Sequence, residues 1–273
     1  MTDAAPHPAV RFARNVGILL VGAMALTYLI ALGALVLWQR DMLFVGARYA
    51  AVEAPERSIY RTRTIKERDA TLTVWQADAG KGRPTIVFFY GNGGTLLQFV
   101  EMGEALNAQG YGIVLASYRG YGGNPGSPSE AGLMDDARAI LSPLPSDRTI
   151  LWGQSLGTGV AARMAAEGRG AALILQSPYT AIVDVAARDF WVFPVRIFMW
   201  DRFDTLALVP KIKVPVLIVA GTADQVVPYD MGVTLSQRFG RQSEFVTVPG
   251  GGHMLPDDAM LPAVEAFLKR RGE

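Results

Sequence analysis

A run of 23 residues without a charge, VGILLVGAMALTYLIALGALVLW from Val16 to Trp38, constrains this chain more than any other feature. As a helix rising ~1.5 Å per residue it would reach about 34 Å, slightly more than the ~30 Å hydrocarbon core of a bilayer. Arg11 and Arg14 flank one end; Trp38 and Arg40 stand at the other, where an interfacial ring and a charge belong. The run reads as a single membrane-spanning anchor over residues 16–38. Two alternatives stay open. A cleaved signal peptide usually has a shorter apolar stretch, and no clean small-x-small cleavage site follows here. A core helix of a soluble domain is the other. Orientation is not set by charge: Arg11 and Arg14 face Arg40, Arg48 and Arg57 across the run.

The remaining chain divides around that run into an N-terminal tail (residues 1–15), a juxtamembrane connector (39–57) and one domain (58–273). Half of all residues are apolar, enough for a sizeable core. A net charge of +1 leaves no electrostatic footprint for nucleic acid. The absence of cysteine excludes disulfides, thiolate metal sites and a cysteine nucleophile. The two histidines, His7 and His253, are too few for a clustered-histidine zinc site. If residues 16–38 span a bilayer, His7 lies across it from the domain, and only His253 is left for chemistry there.

From residue 58 the pattern alternates strand-like and helix-like segments. Ile59–Ile65 and Ala70–Ala77 read as an early strand pair. Thr85–Tyr90, Gly112–Ser117, Thr149–Trp152, Ala171–Gln176 and Val214–Ala220 are short apolar runs of buried-strand type. Between them Leu96–Gln109, Ser129–Leu141 and Leu156–Glu167 read as helices, the second with Ser129 as its cap. Met231–Phe239, Glu244–Val248 and Pro256–Arg270 complete the alternation. Such an order predicts an α/β fold with a mostly parallel sheet covered on both faces. In such sheets ligands bind at the carboxyl ends of the strands. Asn92, Ser155, Asp224 and His253 each fall just after a predicted strand.

Ser155 sits in ILWGQSLGTG, between a strand and a helix. A nucleophile on such a turn needs small neighbours, and Gly153 and Gly157 supply them. The plain alternative is a serine that caps the helix. Asp224, in VPVLIVAGTADQVVP, can orient and charge-stabilise an imidazole; the alternative is a turn aspartate bonding its own backbone. His253, in VPGGGHMLPDD, would serve as the base that a serine hydroxyl needs at neutral pH, or is an exposed loop residue. The chain order serine, aspartate, histidine matches a nucleophile-elbow arrangement. The stretch Tyr90-Gly91-Asn92-Gly93-Gly94 can turn backbone N–H groups toward an oxyanion. The candidate donors are the N–H of Asn92 or Gly93 and that of Leu156. Neither a P-loop nor a dinucleotide fingerprint follows this strand.

Taken together, FFYGNGG, ASYRGYGGNPGSPSE, WGQSLGTG, QSPYTAIVDVA, KIKVPVLIVAGTADQVVP and GGGHM resemble the α/β-hydrolase superfamily. Within it the chain is similar to the membrane-anchored Bem46-like branch related to protein depalmitoylases. The resemblance implies a Ser155–Asp224–His253 triad, an oxyanion hole at Asn92, Gly93 and Leu156, hydrolysis through an acyl-enzyme, and no metal or organic cofactor. One position departs from the pattern. The family usually has histidine where this chain has Tyr90, a side chain that supports the oxyanion loop, so a tyrosine must reach differently.

The resemblance also places a short cap insert at residues 178–210. The insert carries Phe190, Trp191, Phe193, Phe198, Met199, Trp200 and Phe203, which can line an acyl chain, touch a bilayer, or simply pack a helical cap on the core. The expected function is a membrane-anchored serine hydrolase of carboxylic esters or thioesters, acting on a small-molecule, lipid or acylated-protein substrate. A peptidase of the same fold and a catalytically silent binding protein are the alternatives.

Overall fold

The computed structural model describes residues 8–66 and 70–271; His7 falls outside them. The chain forms two units, Met1–Met42 and Leu43–Glu273. The described residues of the first belong to one helix, α1 (Pro8–Leu43), 36 residues long. It begins before the uncharged run and ends after it, because the flanking arginines are good helix formers and Pro8 sits where no intrahelical N–H is needed. Its most apolar window has a mean hydropathy of 2.3 and none of it is buried. A core helix of a soluble protein would be mostly buried. By length and composition α1 can cross a membrane.

The second unit starts with a short 3₁₀ turn, Val45–Arg48, and then builds an eight-stranded sheet. An antiparallel pair, β1 (Arg61–Lys66) and β2 (Thr71–Ala77), comes first. Next in the chain are β3 (Thr85–Phe89), α2 (Val100–Ala108), β4 (Gly112–Ala116), α3 (Glu130–Leu141), β5 (Thr149–Gln154), α4 (Leu156–Ala166) and β6 (Ala172–Gln176). The insert contributes α5 (Ile182–Asp189), α6 (Val195–Phe198) and α7 (Thr205–Leu208). The chain closes with β7 (Val216–Gly221), α8 (Tyr229–Phe239), β8 (Ser243–Val248) and α9 (Asp257–Lys269).

The strand order is β1-β2-β4-β3-β5-β6-β7-β8. From β4 to β8 every pairing is parallel, and β2 runs against both of its neighbours. β3 to β7 are almost continuously buried, which explains why they read as apolar runs and not as alternations. Phe88 illustrates the packing: its ring lies 5.3 Å from Trp152 and 4.2 Å from Phe99.

The expected strands and helices are present with ends shifted by one to two residues, apart from one helix. Ser129 caps α3, its Oγ accepting from the Gly132 N–H at 3.1 Å. The segment Leu96–Gln109 is not one helix. Thr95 and Gln98 form a capping box that starts a 3₁₀ turn at Leu96–Phe99, and α2 begins only at Val100. The carboxyl ends of β3, β5, β7 and β8 open into the loops that carry Asn92, Ser155, Asp224 and His253.

Candidate active site

Ser155 occupies the turn between β5 and α4 with φ 49° and ψ −120°. That left-handed conformation in a non-glycine residue costs on the order of 1–3 kcal/mol and persists only where its surroundings impose it. The two flanking glycines explain how. A Cβ on Gly157 would overlap the carbonyl of Phe89 in β3. One on Gly153 would lie 2.6 Å from the Cα of Thr158 and overlap the Gly157 carbonyl. The turn is thus pressed against the neighbouring strand with no room for a side chain. Although Ser155 stands at the N-cap position, its side chain makes no capping bond.

Its hydroxyl is engaged elsewhere. His253 Nε2 lies 2.9 Å from Ser155 Oγ, and His253 Nδ1 lies 2.8 Å from Asp224 Oδ2. A proton on Nδ1 donates to the carboxylate and leaves Nε2 as the acceptor for the serine hydroxyl. The other carboxylate oxygen, Oδ1, accepts the N–H groups of Val226 and Val227, both at 2.8 Å. Asp224 is therefore a turn aspartate and the partner of the imidazole at once. Burial pushes its carboxyl upward, but the bonds from His253, Val227 and Val226 outweigh this and hold it below the ordinary value. The side chains of Asp224 and His253 are 2% and 16% exposed, so the line is shielded yet reachable at the histidine.

The aspartate and histidine loops are laced together. The Ala223 N–H donates to the Gly251 carbonyl at 2.9 Å, and the Gly250 N–H to Thr222 Oγ1 at 2.8 Å. A Cβ on Gly221 would overlap that same Gly251 carbonyl, so glycine is what lets the loops approach.

On the other side of the serine, Gly91 faces it so closely that a Cβ there would stand 3.2 Å from Ser155 Cβ. The N–H groups of Asn92, Gly93 and Leu156 have no acceptor among the described residues. Their peptides are nonetheless fixed, because in a trans peptide a tethered C=O sets the opposite direction of the N–H. The Gly91 carbonyl accepts the Gly94 N–H at 3.1 Å. The Ser155 carbonyl accepts Thr158 twice, from its N–H at 2.8 Å and its hydroxyl at 2.6 Å. Leu156 is moreover the first residue of α4, at the positive end of the helix dipole.

A sequence profile of the α/β hydrolase fold matches residues 84–198, and one of TAP-like proteins matches 201–272. Protein bem46 of Schizosaccharomyces pombe is 32% identical over 234 residues, 76% of this chain and 77% of that protein. Human alpha/beta hydrolase domain-containing protein 17B is 32% identical over 217 residues, 76% of this chain and 72% of that protein. The chain belongs to the α/β-hydrolase superfamily. An esterase of Pyrococcus furiosus shares its fold, with a TM-score of 0.67 at 21% identity over 82% of this chain and 97% of that one.

Three supports of this candidate site were not assigned from the sequence. Ser177, also left-handed at φ 50°, donates from its hydroxyl to the His253 carbonyl at 2.9 Å and so steadies the histidine loop. Its motif, QSPYT, was visible, but a strained non-glycine φ leaves no residue-type signal. Thr158 was readable only as a helix residue. Tyr121 donates from its hydroxyl to the Asn92 carbonyl at 3.0 Å, an approach that only the folded chain reveals.

Tyr90 turns its side chain into the core. It is fully buried, its hydroxyl pairs with Ser117 Oγ at 3.1 Å, and its ring lies 5.0 Å from Tyr118 and 5.8 Å from Tyr121. Burial pushes its phenol well above the ordinary value. It forms part of an aromatic floor beneath the glycine loop.

The insert divides in two. Phe203 is buried and Met199 partly so, packed on the core. Trp191, Ile197 and Trp200 are 81%, 75% and 55% exposed, and Phe190, Val192 and Phe198 are exposed as well. The insert is nevertheless tied down. The Glu130 N–H donates to Asp201 Oδ1 at 2.8 Å, the Arg202 N–H to Glu130 Oε2 at 2.7 Å, and the Ile182 N–H to the Arg202 carbonyl at 3.0 Å.

Proposed function

We propose that this protein is a membrane-anchored serine hydrolase that cleaves carboxylic esters or thioesters through an acyl-enzyme. The observation that carries the reading is the Asp224–His253–Ser155 hydrogen-bonded line beside three unpaired N–H groups. His253 Nε2 takes the proton of Ser155 Oγ as the oxygen attacks the acyl carbon. The carbonyl oxygen gains negative charge and is received by the N–H of Leu156 and that of Asn92 or Gly93. His253, now charged and held by Asp224, gives its proton to the departing alkoxide or thiolate. Water enters, loses a proton to His253, and attacks the acyl-enzyme; the proton then returns to Ser155 as the acid leaves.

The substrate class follows from two features of the chain. The apolar helix α1 is long enough to hold the protein in a bilayer, and the insert presents exposed tryptophans and aliphatic side chains. A tethered domain meets acyl lipids and lipidated proteins at high effective concentration. Long-chain acyl groups presented by a membrane are the substrates this supports.

Fluorophosphonate labelling of the full chain in membranes tests the chemistry. Wild type is expected to label, and Ser155→Ala to lose both labelling and turnover. A wild type that neither labels nor hydrolyses any ester while folded would remove the enzymatic reading and leave a silent binding protein. A panel of esters and thioesters of graded chain length tests the substrate. A tenfold preference between lengths corresponds to ~1.4 kcal/mol of differential transition-state binding, the mark of an acyl site. Activity confined to short soluble esters, in membranes as in detergent, argues against a lipid substrate.

A further inference from the structure

The residues that follow α1 do more than connect. We infer that the segment Phe44–Tyr49 is a positioning element of the active site, holding the Asn92 carbonyl together with Tyr121 so that the N–H groups of the glycine loop stay aimed at Ser155. This rests on the oxyanion role proposed above for that loop.

The Asn92 carbonyl is held from two directions. The Gly46 N–H donates to it at 2.8 Å and the Tyr121 hydroxyl at 3.0 Å. The first bond comes from a residue nearly fifty positions away in the chain. With the Gly91 carbonyl already tied to Gly94, both peptides that carry Asn92 N–H and Gly93 N–H are fixed at their oxygen ends. Without the second clamp the Asn92–Gly93 peptide could rotate, since neither glycine flanking Asn92 restrains the backbone. Loop glycines give the freedom to approach the serine; a remote segment must then supply the rigidity.

The fit at Gly46 is close enough to be selective. A Cβ there would overlap the Tyr121 ring and stand 2.7 Å from the Asn92 carbonyl oxygen. Gly46 is buried, unlike most of its neighbours in this connector. Val45 and Tyr49 both lie against the same loop: a Cβ on Gly93 would meet Val45 Cγ2 at 3.6 Å and Tyr49 Oη at 3.8 Å. Phe44 anchors the segment from the other direction. It is 1% exposed and packs edge-on against Phe203 with ring centroids 6.3 Å apart. Phe203 in turn abuts Gly159 in the first turns of α4, where a Cβ would stand 3.1 Å from its ring. The segment thus holds the loop peptide directly and reaches the first turns of α4 only through Phe203.

The test uses the full chain and three variants. Tyr121→Phe keeps the ring and removes one donor to Asn92. Gly46→Ala pushes on the other. Tyr60→Phe is the control: its buried hydroxyl also donates to a backbone carbonyl, that of Val100 at 3.2 Å, away from the loop. Turnover of a p-nitrophenyl ester, KM, fluorophosphonate labelling rate and thermal midpoint are measured for each. Tyr121→Phe is expected to lower kcat and labelling rate about tenfold, less than outright loss of an oxyanion donor, with KM within about twofold. Gly46→Ala is expected to lower kcat further. Neither is expected to alter the pH dependence of kcat/KM, because the imidazole and its carboxylate are untouched. Tyr60→Phe is expected to lose similar thermal stability and to keep wild-type kcat. If Tyr121→Phe and Gly46→Ala both turn over within twofold of wild type, the positioning role is wrong. It is equally wrong if Tyr60→Phe, at a similar loss of thermal stability, loses as much kcat as they do. A wild type that does not label at all is a different failure, that of the hydrolase reading itself.

Discussion

The turn at Ser155 and the insert at residues 178–210 stand at opposite extremes of packing. At the turn, two positions tolerate nothing larger than glycine, the serine itself is strained, and its carbonyl is bonded twice. In the insert, Trp191, Ile197 and Trp200 leave most of their surface open. The contrast separates two tasks. Proton transfer and charge stabilisation need atoms held to within a few tenths of an ångström, and a close-packed sheet end supplies that. Recognition of an apolar substrate or surface needs area, not precision, and exposed rings supply that. The chemistry is built into the fold, while the apolar surface is laid upon it.

The sharpest way to break this division is at Asp224. Asp224→Asn keeps an acceptor at Oδ1 for Val226 and Val227, so the turn should survive. What is lost is the acceptor for His253 Nδ1, and with it the tautomer that leaves Nε2 free. A fall in kcat of about 10⁴-fold is expected, with a much smaller change in thermal midpoint. Steady-state kinetics and a melting curve check both. A loss of activity that merely follows unfolding would mean the loop, not the proton line, had been disturbed.

Next comes Gly157→Ala. Helix propensity alone predicts a gain of about 1 kcal/mol from such a change. The overlap with the Phe89 carbonyl predicts a loss, and backbone cannot move aside as a side chain can. Overpacking should win, with a net destabilisation of about 3 kcal/mol measured by denaturant titration of the full chain in detergent. Stabilisation would show that the turn is looser than its neighbours imply.

These two sites also show what could be read from residues alone. The strand ends were legible because β3 to β7 are buried on both faces and so appear as uninterrupted apolar runs. Ser155 and Asp224 could be placed because each follows such a run, and His253 because it follows the last strand-like segment; each carries a side chain suited to the task proposed for it. Asn92, Gly93 and Leu156 could be proposed as backbone donors only through their glycine-rich or helix-opening context. Gly46, Tyr121 and Ser177 were out of reach. Their contributions are a backbone N–H, a hydroxyl and a strained turn that meet the site from distant parts of the chain. Chemistry concentrated in side chains near one another in pattern is visible; support delivered across long separations is not. The insert was legible in composition but not in its division, since nothing in the sequence distinguishes the buried Phe203 from the exposed Trp200.

Acid offers a gentler probe of the buried side of the comparison. The Asp224 carboxyl is held below its ordinary value of 3.8, so its folded form binds protons less readily than its unfolded form. The stability it contributes is therefore present above that ordinary value and is lost as pH falls through the lower, folded one. Wild type should lose this part of its stability only below about pH 4, and Asp224→Asn should show no such component. Melting curves across pH 3–7 should bring the two proteins closer together at the acid end. A gap that widens there would place the stabilising carboxylate elsewhere.

The smallest effect is expected where the exposure is greatest. Trp191 is 81% exposed in the turn after α5, so Trp191→Ala should change folding stability by no more than about 0.5 kcal/mol. Turnover of a short soluble ester should be unchanged, because no member of the proton line touches the indole. On a long-chain ester carried in vesicles the rate should fall about threefold: an indole favours the bilayer interface, but the anchor proposed for α1 would already supply most of the local concentration. The ratio of the two activities is the informative quantity. A loss shared equally by the soluble and the vesicle-borne ester would tie Trp191 to the reacting centre, and the separation between a rigid chemical site and a permissive apolar surface would no longer hold.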